Sequence, residues 1–151
     1  MLRPVVLFFT GVMGTGAVLA QALPPKAAVE NRINRYRELG AAFKTINDQA
    51  KSGALVKITA RLSARTISAA ARDQFQWFPA GSGPESGVKT KAKAAIWVNA
   101  AGFKQAQTAF QRDADLMAKA VEGGNLAAVQ AQAKVLGQTC GACHRSFREE
   151  L

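Results

Sequence analysis

The chain of 151 residues predicts an all-α fold, an antiparallel four-helix bundle with a long crossover between its second and third helices. Three observations predict it. Apolar residues recur at steps of three and four in four separate stretches. Ser-Gly and Gly-Gly pairs punctuate those stretches. No run alternates with the period of two that a strand requires. Two pairs of helices joined by short turns, with a longer link between the pairs, satisfy an antiparallel bundle. The length suits one domain with one core.

Residues 1–22 stand apart from that domain. Arg3 gives a short positive start, Val5 to Phe9 and Gly11 to Leu19 are apolar, and Ala20-Gln21-Ala22 is a small-x-small cleavage site. This is the layout of a secretory signal peptide removed after Ala22, leaving residues 23–151 as the bundle. A membrane anchor is the competing reading, but the segment is short and interrupted by glycine. No later stretch approaches the roughly 20 apolar residues that span a bilayer. The expected mature protein is periplasmic, without membrane insertion.

The first helix is expected over about Ala27 to Lys51, behind Pro24-Pro25, with Val29, Ile33, Tyr36, Leu39, Gly40, Phe43 and Ile46 on one face. Ser52-Gly53 ends it. The second, about Leu55 to Gln74, is less regular, with Leu55, Ile58, Leu62, Ile67, Ala70 and Ala71 as its apolar positions. Phe78-Pro79-Ala80-Gly81-Ser82-Gly83-Pro84 cannot continue a helix, so Trp77 to Ile96 reads as a loose crossover. Its length implies function, or packing over a cofactor edge. The third helix, about Asn99 to Glu122, carries Phe103, Ala106, Phe110, Met117 and Val121, and Gly123-Gly124 stops it. Asn125 is placed to cap the fourth helix. That helix has the cleanest stripe: Leu126, Val129, Ala133, Leu136, Cys140, Cys143 and Phe147.

This last stripe carries the chemistry. Cys140-Gly141-Ala142-Cys143-His144 puts two thiols on the core face, with an imidazole four residues after the first and so on nearly the same side. Two thiols at that spacing can each add to a haem vinyl group, and the adjacent imidazole can ligate the iron. Cys-x-x-Cys-His is the signature of c-type haem attachment. Other readings stand beside it. A zinc site needs more ligands than two Cys and one His supply, unless carboxylates complete it. A thioredoxin-like dithiol expects a βαβ setting, absent here. A disulfide between the two would close a tiny loop and constrain little. A buried Cys pair with a satisfied His also remains open.

His144 is the only histidine, and Met1 and Met13 leave with the signal peptide. Met117 is therefore the one conventional candidate for a sixth iron ligand, although its spacing with Phe110 and Val121 is that of an ordinary core residue. Either Met117 ligates, giving a low-spin electron carrier, or the iron is five-coordinate with a vacant face that binds NO and CO. The formal charge is +10, or +9 once 1–22 and its single charged residue Arg3 are removed. The bases are spread along amphipathic segments with two Trp and one Tyr, which argues against nucleic acid and fits an acidic redox partner or a solvated face. No second His and no paired carboxylates suggest substrate turnover, so no enzyme is expected.

With these residues in view the chain resembles cytochrome c prime, the class II c-type cytochromes, over nearly all of its mature length. The resemblance rests on Cys140 to His144 close to the C-terminus followed by Arg148, and on Arg32-x-x-x-Tyr36-x-x-Leu39-Gly40-x-x-Phe43-Lys44. Trp77 to Pro84, and Ile96-Trp97 ahead of Phe103-Lys104, add to it. It implies one covalent haem c on Cys140 and Cys143, with His144 as axial ligand. It further implies Arg32 against a haem propionate, Tyr36 over the vacant iron face, Arg148 beside the proximal face, Trp77 at the haem edge, and a homodimer through the first two helices. As bare residues, Arg32 and Arg148 would read as solvated charges and Tyr36 as core.

Overall fold

The computed structural model describes residues 23–150; the expected signal peptide, 1–22, lies outside the described residues. Helix α1 spans Pro25–Ser52, α2 Lys57–Asp73, α3 Ala95–Val98, α4 Ala100–Gly123 and α5 Leu126–Phe147. The long helices α1, α2, α4 and α5 form the expected bundle. Each packs on its neighbours in that order, and α5 closes the ring against α1.

The helix ends follow local chemistry. Pro25 opens α1, at a position whose N–H would have no intrahelical partner anyway. Gly53 and Gly124 end α1 and α4 at φ 75° and 66°, a left-handed conformation that a Cβ disfavours. Asn99 caps α4 by accepting from the Gly102 N–H at 3.1 Å. Asn125 caps α5 through the Ala128 N–H, also at 3.1 Å, as the sequence predicts.

Two apolar clusters fill the interior. The larger joins all four long helices through Ile46, Ile67, Met117, Val129 and Leu136, with small alanines between them. The smaller lies at the crossover end, where Ile96, Phe103 and Phe147 gather Phe78 and Trp97.

Helix α2 differs from expectation. Ile58 and Leu62 are 65% and 55% exposed, and the buried stripe is instead Ala60, Ala64, Ile67 and Ala71. Ile58 lies two residues, about 200°, from Ala60 around the helix, so both cannot face inward. The α1–α2 seam selects alanines, including Ala42 and Ala50 of α1, and leaves the large side chains outside.

The crossover is not loose. It contains two single turns, Gln74–Gln76 and Pro84–Ser86, then α3 immediately before α4. Its last part pairs with the end of α5: the Lys93 N–H donates to the Phe147 carbonyl at 3.0 Å, and the Glu149 N–H to the Lys91 carbonyl at 2.8 Å. A short antiparallel bridge, Ala92 to Arg148, results in a chain whose periodicity offered no strand.

Candidate haem site

On α5, Cys140 and Cys143 are half-buried and unpaired. Cys140 packs on the larger apolar cluster and Cys143 on the smaller one, so the two thiols straddle the boundary between them. Burial first, then the neighbouring Cys143, pushes the Cys140 thiol up to about 11, and burial also raises Cys143. These are not the acidified thiols of a redox dithiol. Nor do three His, Cys, Asp or Glu side chains converge as a metal-ligand set among the described residues, which leaves the zinc reading without ligands. His144 is exposed, one turn beyond Cys140. Partial burial and the nearby Arg148 lower its pKa, favouring the neutral imidazole that a metal needs. Arg148 is exposed at the C-cap of α5. An open cleft of about 450 Å³ between α3, α4 and α5 reaches Cys143 and Phe147.

A second group of predicted residues, from α1 and the start of the crossover, lies outside the lining of that cleft. Tyr36 stacks edge-on against Trp77, with ring centres 5.0 Å apart at 85°, and lies 6.2 Å from Phe78. Trp77 is buried. Burial raises the Tyr36 phenol well above its ordinary pKa, and the nearby Cys143 and Cys140 raise it further. The Tyr36 hydroxyl thus lies close enough to the two thiols to feel their charge, although 104 residues separate it from the first of them in sequence.

Arg32 is the least expected of the predicted residues. Only 2% of it is exposed, so it is not a solvated helix charge. It donates through Nη1 to Ser82 Oγ at 2.9 Å and through Nη2 to Thr90 Oγ1 at 3.0 Å, holding both halves of the crossover. Its guanidinium lies 5.0 Å from the Phe78 ring centre and 5.8 Å from that of Trp97. Burial lowers its pKa. Among the described residues no carboxylate comes within ion-pair distance of it. A buried guanidinium with five donors, neutral hydrogen-bond acceptors and Glu85 acting on it only from beyond ion-pair distance is incompletely compensated, and a carboxylate such as a propionate is the kind of group that would complete it. The donor set therefore fits haem: two unpaired thiols, a neutral imidazole and a cation awaiting an anion.

Three further buried polar residues, Gln74, Gln107 and Asp113, were missed by sequence reasoning. Gln74 and Gln107 are buried at 4% and 5% and lock α2 to α4 by reciprocal side-chain bonds to each other's carbonyls, at 3.2 and 3.1 Å. Asp113, 1% exposed, accepts from Arg112 Nε at 2.8 Å and from the hydroxyl of Thr139, the residue before Cys140. The signal was available, since Gln107 and Asp113 interrupt the apolar face of α4.

An antiparallel bundle whose last helix carries Cys-x-x-Cys-His, with both thiols packed against the core and the imidazole exposed rather than turned inward with them, is the construction of a bundle-type c-type cytochrome. Comparison with known proteins makes the class specific. The family model for Cytochrome C' matches residues 27–148. Cytochrome c' of Rhodospirillum rubrum is 34% identical over 137 residues, covering 90% of this chain and 91% of that protein. The crystal structure of cytochrome c' from Rubrivivax gelatinosus superposes with a TM-score of 0.79 at 28% identity, covering 85% of this chain and all of that one. The nitric oxide complex of a cytochrome c prime variant from Alcaligenes xylosoxidans shares the fold, with a TM-score of 0.76 at 24% identity, 86% of this chain and all of that one. The chain belongs to the cytochrome c prime family, whose members carry covalently attached haem c.

Arg112 and Thr139 hold the Asp113 carboxyl below its ordinary pKa against the opposing effect of burial. A depressed folded-state pKa contributes stability that is present above the unfolded value, near 3.8, and is lost as pH falls through the folded one. Asp113→Asn should therefore flatten stability against pH below about 5, and lower stability at pH 7 by about 1–3 kcal/mol. Urea denaturation of both proteins from pH 7 to pH 3 checks this, and parallel curves would refute it.

Proposed function

We propose that this chain is an exported, periplasmic haem protein that binds NO, and CO more weakly, at a five-coordinate iron, without catalysing turnover. In this reading Cys140 and Cys143 would hold the haem through two thioethers, each S–H adding across a vinyl double bond to give one S–C and one C–H bond. His144 would ligate the iron and Arg32 would pair with a propionate. Tyr36 would cover the open face, Trp77 would pack at the macrocycle edge, and Arg148 would sit beside the His144 face. Haem supplies an iron centre able to take up a diatomic gas.

The observation that carries the reading is the position of Met117. It is the only methionine among the described residues and is fully buried in the larger apolar cluster. On α4 it lies one turn beyond Asp113, which is level with Thr139; antiparallel packing therefore carries it away from Cys143 and His144. No methionine stands on α1, which presents Tyr36. Nitric oxide and carbon monoxide complexes of fold relatives from Alcaligenes xylosoxidans support gas binding. For export, the support is the pattern of residues 1–22.

Mass spectrometry of the denatured holoprotein should show one haem mass, absent from the Cys140→Ala/Cys143→Ala variant. The reduced protein should be five-coordinate and shift its Soret band with CO. A six-coordinate low-spin spectrum before any ligand is added refutes the open face and returns Met117 as ligand.

Ile58 and Leu62, one turn apart on α2, are each more than half exposed on the same side of the helix, the kind of face a second copy would cover. We read it as the seam of a homodimer, so Leu62→Glu should turn a dimer into a monomer in sedimentation; a wild-type monomer contradicts the reading. Single-electron exchange with an acidic partner is the second role. Its support is the cation group Lys91, Lys93, Arg145 and Arg148 around the His144 end, where Lys93 Nζ and Lys91 Nζ reach only backbone carbonyls. Exchange should slow as ionic strength rises from 0.01 to 0.15 M and the screening length falls from ~30 to ~8 Å; a salt-independent rate removes it.

A further inference from the structure

Tyr36 does not hold a free hydroxyl. Its Oη donates to Gln74 Oε1 at 3.3 Å, from α1 to the first turn after α2. The orientation of that amide is fixed by what surrounds it. Gln74 Nε2 donates to the Ala71 carbonyl at 3.3 Å and to the Gln107 carbonyl at 3.2 Å. An amide nitrogen has two hydrogens, and both are committed to groups that can only accept. Turning the amide over would set Oε1 against two carbonyl oxygens. Gln107 Nε2 closes the arrangement by donating to the Gln74 carbonyl at 3.1 Å. Gln74 Oε1 is thus an obligate acceptor facing the phenol, and Trp77 and Phe78 fix the Tyr36 ring.

We propose that Gln74 is a positioning residue that captures the Tyr36 phenol proton, so that a gas bound beneath Tyr36 meets a bulky ring but receives no hydrogen bond from it. The proposal rests on the reading that Tyr36 covers the distal face. On that reading Tyr36 acts by crowding alone, and the polarity of the ligand site is set from α2 and α4 rather than from the residue nearest the gas.

Tyr36 is the only tyrosine in the chain, so tyrosine spectroscopy reports it without interference. Two readouts on the holoprotein test the proposal. The ultraviolet resonance Raman doublet of tyrosine reports whether the phenol donates, with no gas present. The infrared stretch of CO on the reduced protein reports whether the gas accepts. In the wild type the phenol should appear as a donor, and Tyr36→Phe should leave the CO stretch nearly unchanged. Gln74→Leu should abolish the donor signature, lower the CO stretch and slow CO release by about three- to tenfold, the range for one neutral hydrogen bond. Adding Tyr36→Phe to it should restore the wild-type stretch. A donor signature that survives Gln74→Leu overturns the proposal, as does a CO stretch that rises in Tyr36→Phe alone. Should Gln74→Leu fail to fold, the wild-type signature and Tyr36→Phe, which keeps the ring, still decide. Should the reduced protein take up no CO, the gas-binding reading fails, while the Raman doublet still decides whether Gln74 holds the proton.

Discussion

The site depends on one turn of α5 lying at the seam between two apolar clusters. Cys140 belongs to the larger cluster and Cys143 to the smaller, and that split is a consequence of register. A slip of one helical turn, about 5.4 Å, would bury both thiols in one cluster or carry both past the end of the bundle. Three contacts fix the register from α4. Phe103 meets Phe147 edge-on with ring centres 5.1 Å apart. Ten residues further along α4, Asp113 takes the Thr139 hydroxyl and its own carbonyl accepts from Gln132 Nε2 at 3.1 Å. Apolar packing alone tolerates sliding; a buried carboxylate with a fixed hydroxyl partner does not, since a slip of α5 would strip the Thr139 bond and leave Asp113 with Arg112 alone.

Arg32 does for the crossover what Asp113 does for α5. A link that departs from a regular helix costs conformational entropy to order, and here the cost is offset by one guanidinium that reaches both Ser82 and Thr90. Ser82 is itself fully buried and donates to the Pro79 carbonyl at 2.7 Å. The Pro79 carbonyl also accepts from Trp97 Nε1 at 3.3 Å, so charge, hydroxyl and indole form one connected set. The guanidinium loses hydration in that setting and recovers part of it through Phe78 and Trp97. An anion arriving beside it would strengthen both the cofactor pocket and the crossover that roofs it. On the proposed pairing of Arg32 with a propionate, cofactor binding and ordering of the link would be coupled through this one residue.

Much of this was legible in the sequence because helix periodicity and caps are local. The fourth-helix stripe from Leu126 to Phe147, the glycine stops and the Asn125 cap read directly, and Cys140 to His144 needed only that stripe to face inward. What could not be read was of two kinds. On α2 the choice between Ile58 with Leu62 and Ala60 with Ala64 is set by how closely α1 approaches, which is a tertiary property; size ranking points the wrong way at a seam that admits only methyls. In the crossover, the pairing of Lys91–Lys93 with Phe147–Glu149 joins segments more than fifty residues apart, and the short-range pattern of neither segment announces it. Arg32 falls between the two kinds. Its position was read from family resemblance, whereas its burial depends on the folded crossover.

The polar interruptions of the apolar faces nevertheless formed a readable code of their own. Arg32 on α1, Gln74 after α2, and Gln107 and Asp113 on α4 all stand where the helical pattern calls for an apolar side chain, and all four are buried and hydrogen-bonded. Each carries a desolvation cost that a leucine would avoid. They gather at the level of the cysteines and toward the crossover, whereas the Met117–Val129 end of the core is almost purely apolar. Ser68 shows what such a residue looks like without partners: it is buried on α2 and its Oγ bonds to nothing among the described residues. A core selected only for stability would have no reason to concentrate satisfied polar groups in one half. Their placement follows if that half must hold a cofactor with charged edges and a fixed plane, because directional bonds set position and orientation where hydrophobic packing sets only volume.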